Sequence, residues 1–172
     1  MPTRLQKSYF QNPDTLFLAE DLIGKTLVRN FGDNHILRSR IIETEAYIGS
    51  EDLACHASKG RTPRTEVMFS EGGLVYVYLI YGRYWLLNFV CGFKDHPHAI
   101  LIRGIEDCSG PGRIGDLLQL DKSFYGEDLD RSNRIWLEDS TLSGEIIQTP
   151  RIGVENSGEV WRNKPWRFLL KN

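Results

Sequence analysis

The chain has 172 residues, of which 41% are hydrophobic and 26% charged, and this suits one compact domain spanning residues 1–172. No stretch approaches the roughly twenty apolar residues of a membrane span, and the N-terminus lacks the apolar core of a signal peptide. We therefore expect a cytoplasmic protein with no membrane partner. A formal net charge of −2 argues against nucleic acid as a partner, unless basic residues gather on one face.

The first half of the chain predicts one helix followed by strands. Asp14 or Thr15 can cap a helix over 16–23, and Gly24 can end it. Runs rich in β-branched and aromatic residues predict five strands, at 25–31, 36–47, 75–81, 83–91 and 98–105. The first two and the next two form hairpins. Between them, the polar segment 52–65 predicts an exposed loop.

The second half predicts one more helix and four short strands. A Gly-Pro-Gly turn precedes a helix over 113–120, whose N-terminus is a candidate phosphate site. The short strands are predicted at 134–137, 145–147, 151–154 and 166–170. Many strands in hairpin order with few helices indicate an α+β single domain. We expect a curved, mainly antiparallel β-sheet with surrounding helices and a protruding β-hairpin.

Two carboxylates and an aromatic ring alternate along the second strand. Because successive side chains of a strand point to opposite faces, Glu43, Glu45 and Tyr47 should share one face. Partial burial raises a carboxyl pKa, so one of the pair can serve as a general base toward water. From the residues alone, a solvated sheet edge is the commoner interpretation of such a pair.

Five tyrosines lie on or beside the two hairpins, and they are Tyr47, Tyr76, Tyr78, Tyr81 and Tyr84. Aromatic faces can stack on a purine, but core packing is the simpler explanation for Tyr76, Tyr84 and the neighbouring Trp85. Tyr81 differs because it precedes Gly82 at a turn. An exposed ring there suggests a binding partner.

Two polar residues interrupt apolar strands. Asn88 lies within WLLNFV, where a buried amide must form hydrogen bonds or contact a ligand. Arg103 lies within ILIRGI, where a buried guanidinium requires an anionic or carbonyl partner. We expect Glu45 to be that partner.

The segment KGRTPR is basic and contains no acid, which suits contact with a phosphate backbone. Its candidate contacts are Lys59, Arg61, Thr62 and Arg64; a solvated surface loop is the equally favoured alternative. Arg83, Arg113 and Arg151 can extend this basic face. The four histidines and three cysteines have no metal-ligand spacing, and no dinucleotide or phosphate-loop motif occurs, so neither a metal nor another cofactor is expected.

Several blocks occur in one order along nearly the whole chain: ETEAY, CHAS, GRTPRTEVMF, YVYLIYG, LIRG and TPRIGV. In this combination the sequence resembles the 3-methyladenine (alkyladenine) family of DNA glycosylases. The resemblance implies a cofactor-free, monofunctional base-excision-repair enzyme. Its expected partner is damaged double-stranded DNA, on which it would act as a monomer.

The resemblance also implies roles in hydrolysis. Glu45 lies at the position of the general base that deprotonates the attacking water. Arg103 and the main-chain carbonyl of Ile152 lie at positions that would help to hold that water.

Recognition residues are implied in the same way. Tyr47, His56 and Tyr78 match the residues that enclose the flipped base, and Asn88 matches the one that disfavours normal guanine through its 2-amino group. Tyr81 corresponds to the wedge that enters the minor groove. Arg83 departs from the apolar residue that the family often has beside the wedge.

Two alternatives remain from the residues themselves. One is a DNA-binding protein that recognises lesions without cleaving them, for which a water-activating carboxylate has no use. The other is a hydrolase of free nucleosides or another small molecule, suggested by the modest isoelectric point of about 6.1.

Overall fold

The computed structural model describes residues 1–171. Its α-helices are α1 (Lys7–Phe10), α2 (Thr15–Asp21), α3 (Pro111–Leu117) and α4 (Glu159–Arg162). Its strands are β1 (Thr26–Gly32), β2 (His35–Ile48), β3 (Val75–Ile80), β4 (Tyr84–Cys91), β5 (His98–Ile105), β6 (Cys108–Ser109), β7 (Ile135–Glu138), β8 (Ile146–Thr149) and β9 (Arg167–Leu170). Short 3₁₀ turns lie at His56–Lys59, Glu66–Phe69, Lys122–Phe124 and Glu155–Ser157.

The strands form one curved antiparallel sheet, which confirms the predicted α+β class. Its main path is β3-β4-β5-β2-β1-β7, with β6 on β5, β9 on β2 and β8 on β9. The long strand β2 is the central element, because its first half pairs with β1 and its second half pairs with β5 and β9. No helix among residues 1–171 is both long enough and apolar enough to cross a membrane.

Alternation along β2 to β5 gives the sheet two different faces. One face carries Thr44, Ala46, Leu87, Phe89 and Ile100, which are buried in the main core with α2 and α3. The other face carries a second, smaller core beneath the segment 52–70. Burial of the larger core stabilises the sheet, and residues on the opposite face are available to form a binding site.

The predicted elements form with shifted ends. Asp14 caps α2 by accepting a 3.0 Å hydrogen bond from the Phe17 amide, as predicted. The β1–β2 turn places Asp33 and Asn34 at positive φ of 49° and 62°. Helix α3 begins two residues before the predicted start and spans only 7 residues.

Two predictions were wrong. The strand predicted at 151–154 does not form, because Gly153 has a φ of +76° and the backbone bends there. The segment 52–65 is not a wholly exposed loop, since Asp52, Cys55 and Ala57 are buried. The burial of Asp52 depends on a contact with a distant part of the chain, which a local sequence pattern does not contain.

Candidate active site

One row of paired residues crosses four neighbouring strands on the site face. Tyr76 of β3 pairs with Asn88 of β4, Asn88 pairs with Leu101 of β5, and Leu101 pairs with Glu45 of β2. Directly paired residues of antiparallel strands point to the same side of the sheet. We call this row of four residues the floor of the site. It has the Glu45 carboxylate at one end and the Tyr76 hydroxyl at the other.

Glu45 lies in β2 and has no exposed surface. Its Oε1 accepts a 2.9 Å hydrogen bond from the Tyr47 hydroxyl, and its Oε2 accepts a 2.6 Å bond from the Ile152 amide. The first contact confirms that Glu45 and Tyr47 share a face. Ile152 meets the carboxylate through its N–H, whereas the resemblance had implied a role for its carbonyl.

Burial raises the pKa of Glu45 above its ordinary value. The charge of Arg103, the Ile152 amide and the Tyr47 hydroxyl oppose this effect without cancelling it. A raised carboxyl pKa gives a stronger base toward water than an ordinary glutamate. Burial likewise raises the pKa of Tyr47 well above its ordinary value, which keeps its proton available for donation to Glu45.

Arg103 pairs more closely with Glu43 than with the predicted Glu45. Its Nε donates to Glu43 Oε1 at 3.2 Å, while its Nη1 lies 3.7 Å from Glu45 Oε1. Arg167 Nε also donates to Glu43, at 2.6 Å. Gly104 permits this arrangement, because a Cβ at residue 104 would lie 2.9 Å from the Glu43 Cβ.

A cavity of about 610 Å³ opens above the floor. Tyr47, Arg103 and Ile152, the three residues around the Glu45 carboxylate, all line it. Its remaining aromatic and amide lining includes His56, Tyr76, Tyr78, Tyr81 and Asn88. The structure thus brings together every residue for which hydrolysis or base recognition was predicted.

Aromatic rings form one wall of this cavity. The His56 and Tyr78 rings meet edge to face at 4.5 Å, and His56 Nδ1 lies 2.9 Å from the Tyr76 hydroxyl. Burial lowers the pKa of His56 to about 4, with the charges of Arg64 and Lys59 adding to the effect. The imidazole is therefore neutral at pH 7 and does not act there as a cationic proton donor.

His56 should make the fold sensitive to acid. Its pKa of about 4 lies below the unfolded value of about 6.5, so the folded state binds fewer protons between these values and stability falls with falling pH across this window. We expect His56→Gln to lose less of its urea midpoint between pH 7 and pH 4.5 than the wild type. His35→Gln, which alters an exposed histidine in the β1–β2 hairpin, is the control. Equal losses in wild type and His56→Gln would contradict this assignment.

Asn88 is held by the backbone around it. Its Nδ2 donates to the carbonyl oxygens of Tyr76 and Leu86, at 3.1 and 3.4 Å. Both amide protons are thereby engaged, so a hydrogen bond to any ligand must use the side-chain oxygen. Its fixed orientation suits a residue that restricts which base fits.

Tyr81 projects from the turn between β3 and β4. The residue is 91% exposed, and its φ of +52° is unfavourable for a bulky side chain. Exposure and backbone strain at one aromatic residue are typical of a contact made with a partner. Tyr81 also lines the cavity, so this contact would lie at the cavity rim.

The predicted phosphate contacts fall into two groups. Arg61 pairs with Asp95 at 2.6 Å, and Arg83 pairs with Asp116 at 3.1 Å, so a phosphate would have to compete for them. Within residues 1–171, Lys59, Arg64 and Arg113 have no carboxylate within 4.0 Å and are exposed.

Thr62 lies on the surface beside these cations, where its hydroxyl is 3.2 Å from that of Thr65. Arg64 also lines the cavity, which makes it the predicted phosphate contact nearest to the base-binding wall.

Arg151 does not extend a basic surface, contrary to our prediction. It is buried and paired with Asp52 at 2.6 Å. The sequence did not predict this pair because 99 residues separate Arg151 from Asp52 along the chain.

In the part of the chain that the structure describes, no three His, Cys, Asp or Glu side chains are placed to hold a metal ion.

Comparison with known proteins identifies the class. A protein from Sodalis glossinidius is 42% identical, with 96% of both chains covered. A protein from Methanocella arvoryzae is 40% identical, with 98% of this chain and 92% of the relative covered. A third from Psychrobacter cryohalolentis is 39% identical, covering 94% and 88%. Each bears the name "Putative 3-methyladenine DNA glycosylase".

These relatives place the chain among the DNA glycosylases, a class of DNA repair enzymes. Residues 8–108 and 106–172 match the family model of Methylpurine-DNA glycosylase (MPG). The chain belongs to the methylpurine-DNA glycosylase family. The resemblance recognised from the sequence blocks is therefore confirmed at the level of the family.

Proposed function

We propose that this protein excises damaged purines from duplex DNA by hydrolysing the N-glycosidic bond. Its substrates would be alkylated or deaminated purines of the 3-methyladenine, 7-methylguanine, hypoxanthine and ethenoadenine class. The observation that carries the proposal is Glu45, a carboxylate with no exposed surface whose three polar neighbours all line one ring-walled cavity.

The chemistry requires an activated water beside the sugar. Glu45 accepts a proton from water as the oxygen bonds to C1′, and the C1′–N bond breaks with its electron pair leaving on the base. A cationic alkylpurine thereby leaves as a neutral base, whereas hypoxanthine or ethenoadenine leaves as an anion and takes up the proton that water lost. Arg103, held by Glu43, lies where it can help to orient that water. The products are the free base and an abasic site, and no lysine nucleophile takes part.

Access to C1′ requires the nucleotide to leave the stack. Eversion costs a few kcal/mol and costs least for damaged pairs, which gives a first level of selectivity. Tyr81 would fill the vacated position, while Lys59, Arg64 and Arg113 contact the phosphate backbone. Arg61, Arg83 and Thr62 would join them where a phosphate replaces their present partners.

The aromatic wall then selects the base. The rings of Tyr47, His56 and Tyr78 can enclose a purine, and their faces favour an electron-poor or cationic ring. The neutral state of His56 supports this selection, because an imidazolium would repel a cationic base. Asn88 would disfavour undamaged guanine at the 2-amino position, while the charge of 7-methylguanine still favours binding to the aromatic wall.

Excision assays on a lesion panel test the proposal. We expect abasic sites in duplexes that contain 3-methyladenine, 7-methylguanine, hypoxanthine or ethenoadenine, and none in undamaged DNA. Binding should weaken with salt, with a log–log slope near −3.6 if about four phosphates are contacted. Salt-dependent binding without release of any of these bases would instead support a non-catalytic lesion-binding protein.

A further inference from the structure

We propose that Arg151, paired with Asp52, is a positioning residue that fixes the hydrolytic site by joining the three chain segments that meet around Glu45. This inference rests on the proposed function. It concerns a fully buried side chain that the mechanism above does not use.

The guanidinium joins these segments through hydrogen bonds. Nη1 donates to Asp52 Oδ2 at 2.6 Å and to the Ala46 carbonyl at 3.0 Å. Nη2 donates to Asp52 Oδ1 at 3.0 Å and to the Trp161 carbonyl at 3.2 Å. Both side chains of the pair are fully buried. Strand β2, the segment after it and helix α4 are thereby hydrogen-bonded to one planar group.

The bond to Ala46 and the backbone of Arg151 itself both lie beside residues of the proposed site. Ala46 lies between Glu45 and Tyr47, and the Tyr47 ring centroid is 4.9 Å from the Arg151 guanidinium carbon. Ile152, the next residue after Arg151, donates its amide to Glu45. The backbone of Arg151 cannot shift without moving this donor.

Asp52 extends the arrangement to the aromatic wall. Its carboxylate accepts from the amides of Ile48 and Ala54, at 3.0 and 3.1 Å, and its carbonyl accepts from the Cys55 amide at 2.8 Å. His56 follows directly. The pair therefore sets the distance between the His56 wall and the Glu45 floor.

Stability alone does not explain such a pair. Removing two charges from water costs free energy that their attraction barely returns, and apolar replacements of buried pairs are often neutral or stabilising. A bidentate guanidinium does supply a fixed planar geometry, which a lysine cannot reproduce. The charge of Arg151 also helps to lower the pKa of Glu45 against the effect of burial.

The test compares Arg151→Gln, Arg151→Lys and Asp52→Asn with Arg29→Gln, in the full-length protein. Arg29 is a matched control, since it is also buried, donates to the Leu118 carbonyl at 2.8 Å and stacks on Phe124, outside the cavity. Single-turnover excision of hypoxanthine is measured from pH 5 to 9, and amide hydrogen exchange is measured over residues 151–154.

We expect Arg151→Gln to excise about 100-fold more slowly, because a displacement of about 1 Å in a catalytic group has this effect. The acid limb of its pH profile should move to higher pH, and the Ile152 amide should exchange faster. Arg151→Lys should restore the acid limb but only part of the rate. Arg29→Gln should change neither the profile nor exchange at Ile152.

Three results would overturn the proposal: a wild-type rate and profile in Arg151→Gln, unchanged protection of Ile152, or the same changes in Arg29→Gln. If Arg151→Gln does not fold, Arg151→Lys and Asp52→Asn carry the same comparison. If the wild type excises no base, the proposed function fails, while hydrogen exchange at Ile152 still decides whether Arg151 positions this segment.

Discussion

Glu45→Gln should lower base excision by about 10²- to 10⁴-fold while leaving affinity for lesion-containing duplex intact. The amide cannot accept the proton of water, but it has nearly the same shape and can still accept the Ile152 hydrogen bond. Single-turnover excision and equilibrium binding measure the two effects separately.

Glu138→Gln is the matched control, because Glu138 is a buried acid on β7 that pairs with Arg38 away from the cavity. Its excision rate should equal that of the wild type. Turnover by Glu45→Gln within a few-fold of the wild type would remove Glu45 from the role of base.

The same substitution should also change how the free energy of unfolding depends on pH. Because burial raises the pKa of Glu45, the folded state binds this proton more tightly than the unfolded state does. The contribution of Glu45 to stability is then full below its unfolded pKa of about 4.3 and is lost as pH rises through the folded pKa. Glutamine does not titrate, so the stability of the variant relative to the wild type should increase as pH rises toward 8, as measured by urea denaturation.

Tyr81→Gly should reduce excision from duplex DNA by about 10- to 100-fold and affect single-stranded substrate little. Stacking on an aromatic ring is worth about 1–3 kcal/mol per base, and only a duplex requires a group to fill the vacated position. Glycine also accepts the positive φ at this turn, so the fold should be as stable as the wild type or slightly more stable.

Phe17→Ala removes another exposed ring, on α2, and should leave both substrates unaffected. Excision rates on matched duplex and single-stranded hypoxanthine oligonucleotides measure the difference. An equal loss on both substrates would show that Tyr81 acts within the base pocket and not as a wedge.

The sequence predicts the parts of this molecule that depend on near neighbours. Period-two alternation placed Glu43, Glu45 and Tyr47 on one face, and turn residues located the connections at Asp33 and Tyr81. These features follow from backbone geometry over a few residues, so a single sequence is enough to find them.

Contacts between distant segments were not predicted. Arg103 lies nearer to Glu43 than to Glu45 because the strand register shifts between Glu43 and Thr44, opposite Gly104. Arg151 was assigned to a surface because its partner Asp52 lies in another part of the chain. Neither composition nor residue spacing indicates which two distant charged residues become buried as a pair.

The two faces of the sheet have different roles. One face carries the cavity residues proposed to set lesion preference, and the other packs into the main core. Along β3 and β4, Tyr76, Tyr78 and Asn88 belong to the cavity, and the residues between them belong to the main core. Altered lesion ranges can therefore arise by exchanging every second residue of these strands without disturbing the main core. A single-residue insertion in either strand would instead swap the roles of all residues beyond it, so relatives with new specificities should differ here by replacement and not by length.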